Sequence, residues 1–163
     1  MSAKIRTGIG YDAHPLAAGR TLVLGGVKLP FGLGLEGWSD ADVLTHAVID
    51  ALLGAAALGD IGQHFPPGDP EYKDVSSLAL LAEAGKNMAA IGWRVVNIDA
   101  TVLADEPVLK DYIPLMRENL ARVMNVDINC VSVKAGSGNG LGYVGRGEGI
   151  AALAVALIEG GSE

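Results

Sequence analysis

Between about Asp40 and Leu58 the apolar residues Val43, Leu44, Ala47, Val48, Ala51, Leu52 and Ala55 recur at helical spacing and extend nearly all round. A helix with so little polar face is buried on more than one side. This requirement constrains the fold more than any other feature of the chain. Ser39 reads as its N-cap, with Asp42 three residues on as a weak capping box, and Gly59 stops it.

The flanking sequence supplies the covering elements. Ile5 to Tyr11 alternates and reads as a strand. Thr21–Leu24 and Val27–Leu29 flank Gly25-Gly26, a hairpin signal, and Pro30 to Gly37 is a glycine-rich loop. His64 to Lys73 holds Pro66, Pro67, Gly68 and Pro70 and is irregular. Ser76 or Ser77 caps a second helix that ends near Gly92, and Arg94 to Ala104 is β-rich. Pro114 opens a third helix that ends near Asn125, and Asn129 to Ala135 is a strand. After the glycine-rich stretch 136–149, the pattern predicts a C-terminal helix from about Glu148 to Glu159. Strands alternating with helices predict an α/β fold, one domain over residues 1–163, with a β-sheet backed by helices on one face.

Composition removes several function classes. Twelve Lys and Arg against nineteen Asp and Glu give a net charge of −7. No basic cluster exists to neutralise a nucleic-acid backbone, so no nucleic-acid partner is expected. An acidic chain can still bind a phosphorylated small molecule if a metal or local amides supply positive charge. No apolar run approaches the roughly 20 residues of a membrane span. The start, Met1-Ser2-Ala3-Lys4-Ile5-Arg6, does not read as a secretory signal. The single Cys130 makes no internal disulfide and reads as a small core residue. A cytoplasmic location is the expectation.

Three constellations could carry chemistry. Asp12 and His14 are two apart at the end of the first strand, so both side chains point the same way. His46 lies in the apolar helix and needs a partner or a ligand. Together these offer three N/O donors, the pattern of a catalytic zinc site with an open fourth position, although hydrogen-bonded structural residues are the commoner reading of such a set. Gly59-Asp60-Ile61-Gly62 reads alone as a turn closing the helix. Gly136 to Gly149 can bring backbone amides to an anion ahead of a helix, but it matches no complete phosphate-loop fingerprint. Trp38 and Trp93 read as packing groups, and His64 as exposed.

These segments line up with one family. Gly10-Tyr11-Asp12-Ala13-His14, Gly25-Gly26-Val27, Ser39-Asp40-Ala41-Asp42-Val43 with His46, Asp60-Ile61-Gly62, Phe65-Pro66, Asn97-Ile98-Asp99-Ala100-Thr101, Val133-Lys134-Ala135 and Gly145-Arg146-Gly147-Glu148-Gly149-Ile150 occur in order over nearly the whole chain. The chain thereby resembles the 2-C-methyl-D-erythritol 2,4-cyclodiphosphate synthase family of the non-mevalonate isoprenoid pathway. The resemblance implies a cytoplasmic homotrimer with active sites between subunits. It implies a phosphorus–oxygen lyase that cyclises 4-diphosphocytidyl-2-C-methyl-D-erythritol 2-phosphate and releases CMP. Asp12, His14 and His46 are the implied ligands of zinc or another divalent transition metal. Asp12, His14, Ser39, Asp60, Ile61, Gly62, Pro107, Asn139, Tyr143 and Arg146 are the implied substrate contacts, and Ser137 and Trp38 occupy catalytic positions. Magnesium or manganese is implied between the α- and β-phosphates. Arg146 and Glu148 fall where members can bind a prenyl diphosphate in a central channel.

The chain departs from the family at three places. Trp38 stands where many members have His. Gly136-Ser137-Gly138-Asn139 replaces Thr-Thr-Thr-Glu, so a neutral amide stands in for the carboxylate of the second metal, a poorer ligand for a hard cation. Pro107-Val108-Leu109 replaces Pro-Lys-Met, with Lys110 two positions late. These changes leave a second expectation open: a zinc-containing, non-catalytic trimeric homologue that binds a cytidine or prenyl diphosphate.

Overall fold

A computed structural model describes residues 4–160. Met1–Ala3, where the signal reading began, lie outside the described residues. Five strands form one mixed sheet in the order β4-β1-β7-β5-β6. They are β1 (Ile5–Ala17), β4 (Gly34–Leu35), β5 (Trp93–Leu103), β6 (Val131–Gly136) and β7 (Gly149–Gly160). β7 is antiparallel to both β1 and β5, while β5 and β6 run parallel. β2 (Leu22–Leu24) and β3 (Val27–Leu29) form the expected hairpin. Gly25 and Gly26, at φ +56° and +70°, supply the left-handed turn such a hairpin needs.

The apolar helix is α1 (Val43–Ala55), and eleven of its thirteen residues are buried. It lies across β1 and β7. The approach is close because β1 offers no side chain beneath it at two positions. A Cβ on Gly8 would overlap the carbonyl oxygen of Ala51, and one on Gly10 that of Ala47. α3 (Ser77–Ala90) packs on α1 and β5, and α4 (Ile113–Met124) on α3 and β6. The helices therefore form one layer on one face of the sheet. The other face shows Ile9 and Tyr11 of β1 beside their β7 partners Val155 and Leu153, all four exposed in the single chain.

Several expectations are corrected. The C-terminal helix is the strand β7, at the centre of the sheet. Its alanines suit a helix, but Ile150, Ala152, Ala154, Ala156 and Ile158 alternate inward and are buried. Small inward side chains let α1 lie close, and this packing overrides local preference. α1 starts at Val43 and not Asp40, because Ala41 takes a left-handed φ of +55°. Its cap is Asp42, which accepts from Thr45 N, and not Ser39. The first strand runs on to Ala17, so Asp12 and His14 lie inside it and not at its end. Cys130 ends a 3-10 turn and is half-buried, not core. His64 is half-buried too, with Nε2 hydrogen-bonded to the Leu58 carbonyl at 2.8 Å.

Candidate active site

Asp12 and His14 leave β1 on the face that α1 covers, as the two-residue spacing requires. His46, in the first turn of α1, meets them there. His14 Nε2 lies 3.1 Å and His46 Nδ1 3.0 Å from the same oxygen of Asp12. The imidazole rings meet edge to face at 5.7 Å between centroids. One ligand atom from each residue falls within 4.8 Å of the others. A carboxylate and two imidazoles so converged fit a divalent ion that accepts mixed N and O donors.

The electrostatics follow from that geometry. Burial alone would raise the Asp12 carboxyl, but hydrogen bonds from His14 and His46 hold it well below the usual carboxylate range. The Asp12 hydrogen bond raises His14, against the opposing effect of burial. His14 Nδ1 donates to the Glu36 carbonyl at 2.6 Å, so its Nε2 is the atom aimed at the centre. His46 Nε2 lies 2.8 Å from Ser77 Oγ and 3.2 Å from Ser39 Oγ.

The centre opens into a cavity of about 200 Å³ lined by Trp38, Ser39, Ile61, Gly62, Phe65, Pro67, Tyr72 and Leu80 besides Asp12, His14 and His46. Phe65, Pro67, Tyr72 and Leu80 were not foreseen as site residues. The only sequence signal for the first three was the proline-rich stretch, which folds over the centre. Ile61 and Gly62 belong to α2 (Ile61–His64), so Asp60 is an N-cap and not merely the turn after α1. Its two oxygens accept from Gln63 N at 3.0 Å and Gln63 Nε2 at 2.7 Å, and Asp50 fixes Ile61 N at 2.7 Å. Trp38 walls the cavity, with its indole N–H donated to the Asp69 carbonyl at 2.8 Å. A larger hollow of about 670 Å³, beside Met88, Trp93 and Cys130, shares no lining residue with this one.

The YgbB family profile matches residues 5–159. The chain belongs to the YgbB family. It is 58% identical over 155 residues to the 2-C-methyl-D-erythritol 2,4-cyclodiphosphate synthase of Syntrophomonas wolfei, covering 95% of this chain and 99% of that one. Identity to the protein of the same name from Dehalococcoides mccartyi strain CBDB1 is 55%, with the same coverage. The fold matches a structure of a 2C-methyl-D-erythritol-2,4-cyclodiphosphate synthase with CDP bound at a TM-score of 0.86 and 33% identity, over 94% of this chain and 99% of that one. The bifunctional IspDF of Campylobacter jejuni matches at a TM-score of 0.94 and 40% identity; this chain is spanned to 98% but covers 43% of that longer protein.

Not every residue implied by the family resemblance lies at the cavity. Pro107, Ser137, Asn139, Tyr143 and Arg146 do not line it. Ser137 Oγ donates to Asn139 Oδ1 at 3.0 Å, and Asn139 N returns to Ser137 Oγ at 3.2 Å. Asp105 anchors this YgbB loop by accepting from Gly138 N at 2.7 Å. Arg146 makes a bidentate pair with Glu148 at 2.7 and 3.1 Å. Tyr143 shares a 2.7 Å hydrogen bond with Tyr11, which pushes its hydroxyl up to about 12. Leu109 is buried in the core and Val108 is exposed.

Proposed function

We propose that this chain is a 2-C-methyl-D-erythritol 2,4-cyclodiphosphate synthase, a phosphorus–oxygen lyase of isoprenoid precursor biosynthesis. The reading rests on one observation: Asp12, His14 and His46 converge at the mouth of a cavity in a chain more than half identical to proteins of that name. The substrate is 4-diphosphocytidyl-2-C-methyl-D-erythritol 2-phosphate. An oxygen of its 2-phosphate attacks the β-phosphorus. As that P–O bond forms, the bond from the β-phosphorus to the bridging oxygen breaks, and CMP leaves with the electron pair.

The attacking group is already anionic, so no strong base is required of the protein. Its task is to align two groups of like charge, worth up to about 7–11 kcal/mol in ideal cases. Asp12, His14 and His46 would hold zinc, which would supply Lewis acidity and charge neutralisation. Ser39 contacts a phosphate, and Asp60, Ile61 and Gly62 hold the erythritol part. Trp38, Phe65 and Pro67 wall the cavity and limit water.

The nucleotide half is contributed by a neighbouring subunit of a homotrimer. Two features support this: the residues of that half lie away from the cavity of their own chain, and an apolar sheet face (Ile9, Tyr11, Leu153, Val155) is left uncovered. In the trimer, Pro107, Ser137, Asn139 and Tyr143 reach the cytidine diphosphate end, where Asn139 would help hold magnesium or manganese and the ion would neutralise phosphate charge. Arg146 lies toward a central channel that takes a prenyl diphosphate. The chain acts as one domain, residues 1–163, in the cytoplasm. No helix among the described residues is long and apolar enough to cross a membrane.

Phosphorus NMR of the purified protein with the authentic substrate, zinc and magnesium tests the proposal. Cyclic diphosphate and CMP should appear together. Substrate that persists while another family member converts it would overturn the reading. Light scattering should give three times the chain mass.

A further inference from the structure

We infer that Ser77 and Asp40 are positioning residues that hold His46 in the one tautomer able to ligate a metal through Nδ1. The inference rests on the metal centre proposed above and concerns groups that do not themselves touch the metal. Ser77 is the first residue of α3 and is fully buried. Its Oγ lies 2.8 Å from His46 Nε2 and in a short hydrogen bond with an oxygen of Asp40. A hydroxyl has one proton, and a carboxylate can only accept. The Ser77 proton therefore belongs to Asp40, and Ser77 Oγ presents a lone pair to His46. Nε2 must then carry a ring proton, which leaves Nδ1 to the metal once the ion takes the place of its hydrogen bond to Asp12, where the ligand atoms converge.

Ser39 cannot make this choice. Its Oγ lies 3.2 Å from the same Nε2 and accepts from Ala41 N, so its own proton is free to turn toward the ring. Without Ser77, Ser39 can donate to Nε2 and favour the wrong tautomer. Asp40 is fixed on three sides: Oδ1 accepts from Asp42 N at 3.2 Å as well as from Ser77 Oγ, and Oδ2 accepts from Ser77 N at 3.0 Å. That last bond caps α3, whose N-cap residue Ser76 makes no side-chain bond. His14 has its tautomer set by a backbone carbonyl. The Nε2 of His46 instead meets hydroxyls, so a carboxylate must tell one of them which way to point.

The test measures zinc affinity of the full-length protein by competition with a chromophoric chelator at fixed pH, with ring ¹⁵N NMR of the zinc-loaded form and melting of the metal-free form. Ser77→Ala should bind zinc roughly ten- to a hundredfold more weakly while the metal-free protein still melts cooperatively. Ser77→Thr, which keeps the hydroxyl, should stay within a few-fold of the native protein. Asp40→Asn frees the Ser77 proton; it should weaken zinc and lose the hydrogen-bonded Nε2–H signal, and it answers the question if Ser77→Ala does not fold. Native zinc affinity in both Ser77→Ala and Asp40→Asn overturns the inference, as does equal loss in Ser77→Ala and Ser77→Thr. Failure of the native protein to bind zinc overturns the metal centre itself, which is a separate outcome.

Discussion

The Asp12–His14–His46 centre and the loop from Gly136 to Gly149 are both rich in predicted site residues, yet they are built differently. The centre stands on a strand and a helix whose backbones are in contact, and each histidine has a second partner behind it. The loop's polar groups are exposed and bond mainly to one another: Ser137 to Asn139, Arg146 to Glu148. One region is preorganised within a single chain. The other is a set of groups presented outward. Side chains locked by packing and outer hydrogen bonds hold ligand geometry far more closely than loop side chains do, so substitutions should act strongly at the first region and weakly at the second.

The largest effect is expected from His46→Ala. It removes one of three ligands and several kcal/mol of charge stabilisation, so zinc and activity should be lost together, with turnover down about a thousandfold or more. Metal analysis that finds full zinc occupancy in this variant would refute the ligand assignment. Gly10→Ala comes next. Its Cβ would collide with the Ala47 carbonyl and push α1, with His46, away from Asp12. A loss of about 3 kcal/mol in chemical unfolding is expected, together with weaker zinc binding; native stability would mean that the helix does not rest on this strand.

The response to pH separates metal-free from metal-bound protein. His14 is raised by Asp12, so in metal-free protein its stabilising contribution is present below about pH 6.5 and lost as pH rises through the folded value. Zinc requires neutral imidazole, so its affinity changes in the opposite sense and falls as acid is added, starting above that ordinary value. Melting temperatures with chelator and with zinc, measured between pH 5.5 and 8.5, should diverge as pH rises; parallel curves would argue against His14 as a ligand. The smallest effect belongs to the loop. Asn139→Glu restores a carboxylate and should lower the magnesium concentration needed for half-maximal turnover several-fold, partly offset by the left-handed φ of +51° at this position. An unchanged magnesium titration would mean that this residue does not face the second metal.

Much of this was legible in the sequence. The all-round apolarity of Val43 to Ala55 marked the central helix, Gly25-Gly26 marked the hairpin, and the spacing of Asp12 and His14 placed both on one side of a strand. Those signals are local, so they survive folding. The C-terminal segment was misread because alanine favours helix in isolation. The alternation of Leu153, Val155 and Leu157 with Ala152, Ala154 and Ala156 was the available clue to β7. Asp42 was read as a weak box residue. It is a buried anchor that caps α1 through Thr45 N and accepts from Gly25 N and Gly26 N at 2.9 and 2.8 Å, contacts that no window of sequence brings together.

Sequence alone determined the chemical types at the centre, their families of spacing and the membership that follows from them, because residue identity and short-range period are written along the chain. Only the tertiary structure decided which oxygen of Asp12 both histidines share, that Phe65 and Tyr72 close over them, and that Ser77, thirty-one residues from His46, stands at its Nε2. Hydrogen-bond direction and burial depend on atoms brought together from distant segments, and a linear pattern carries neither.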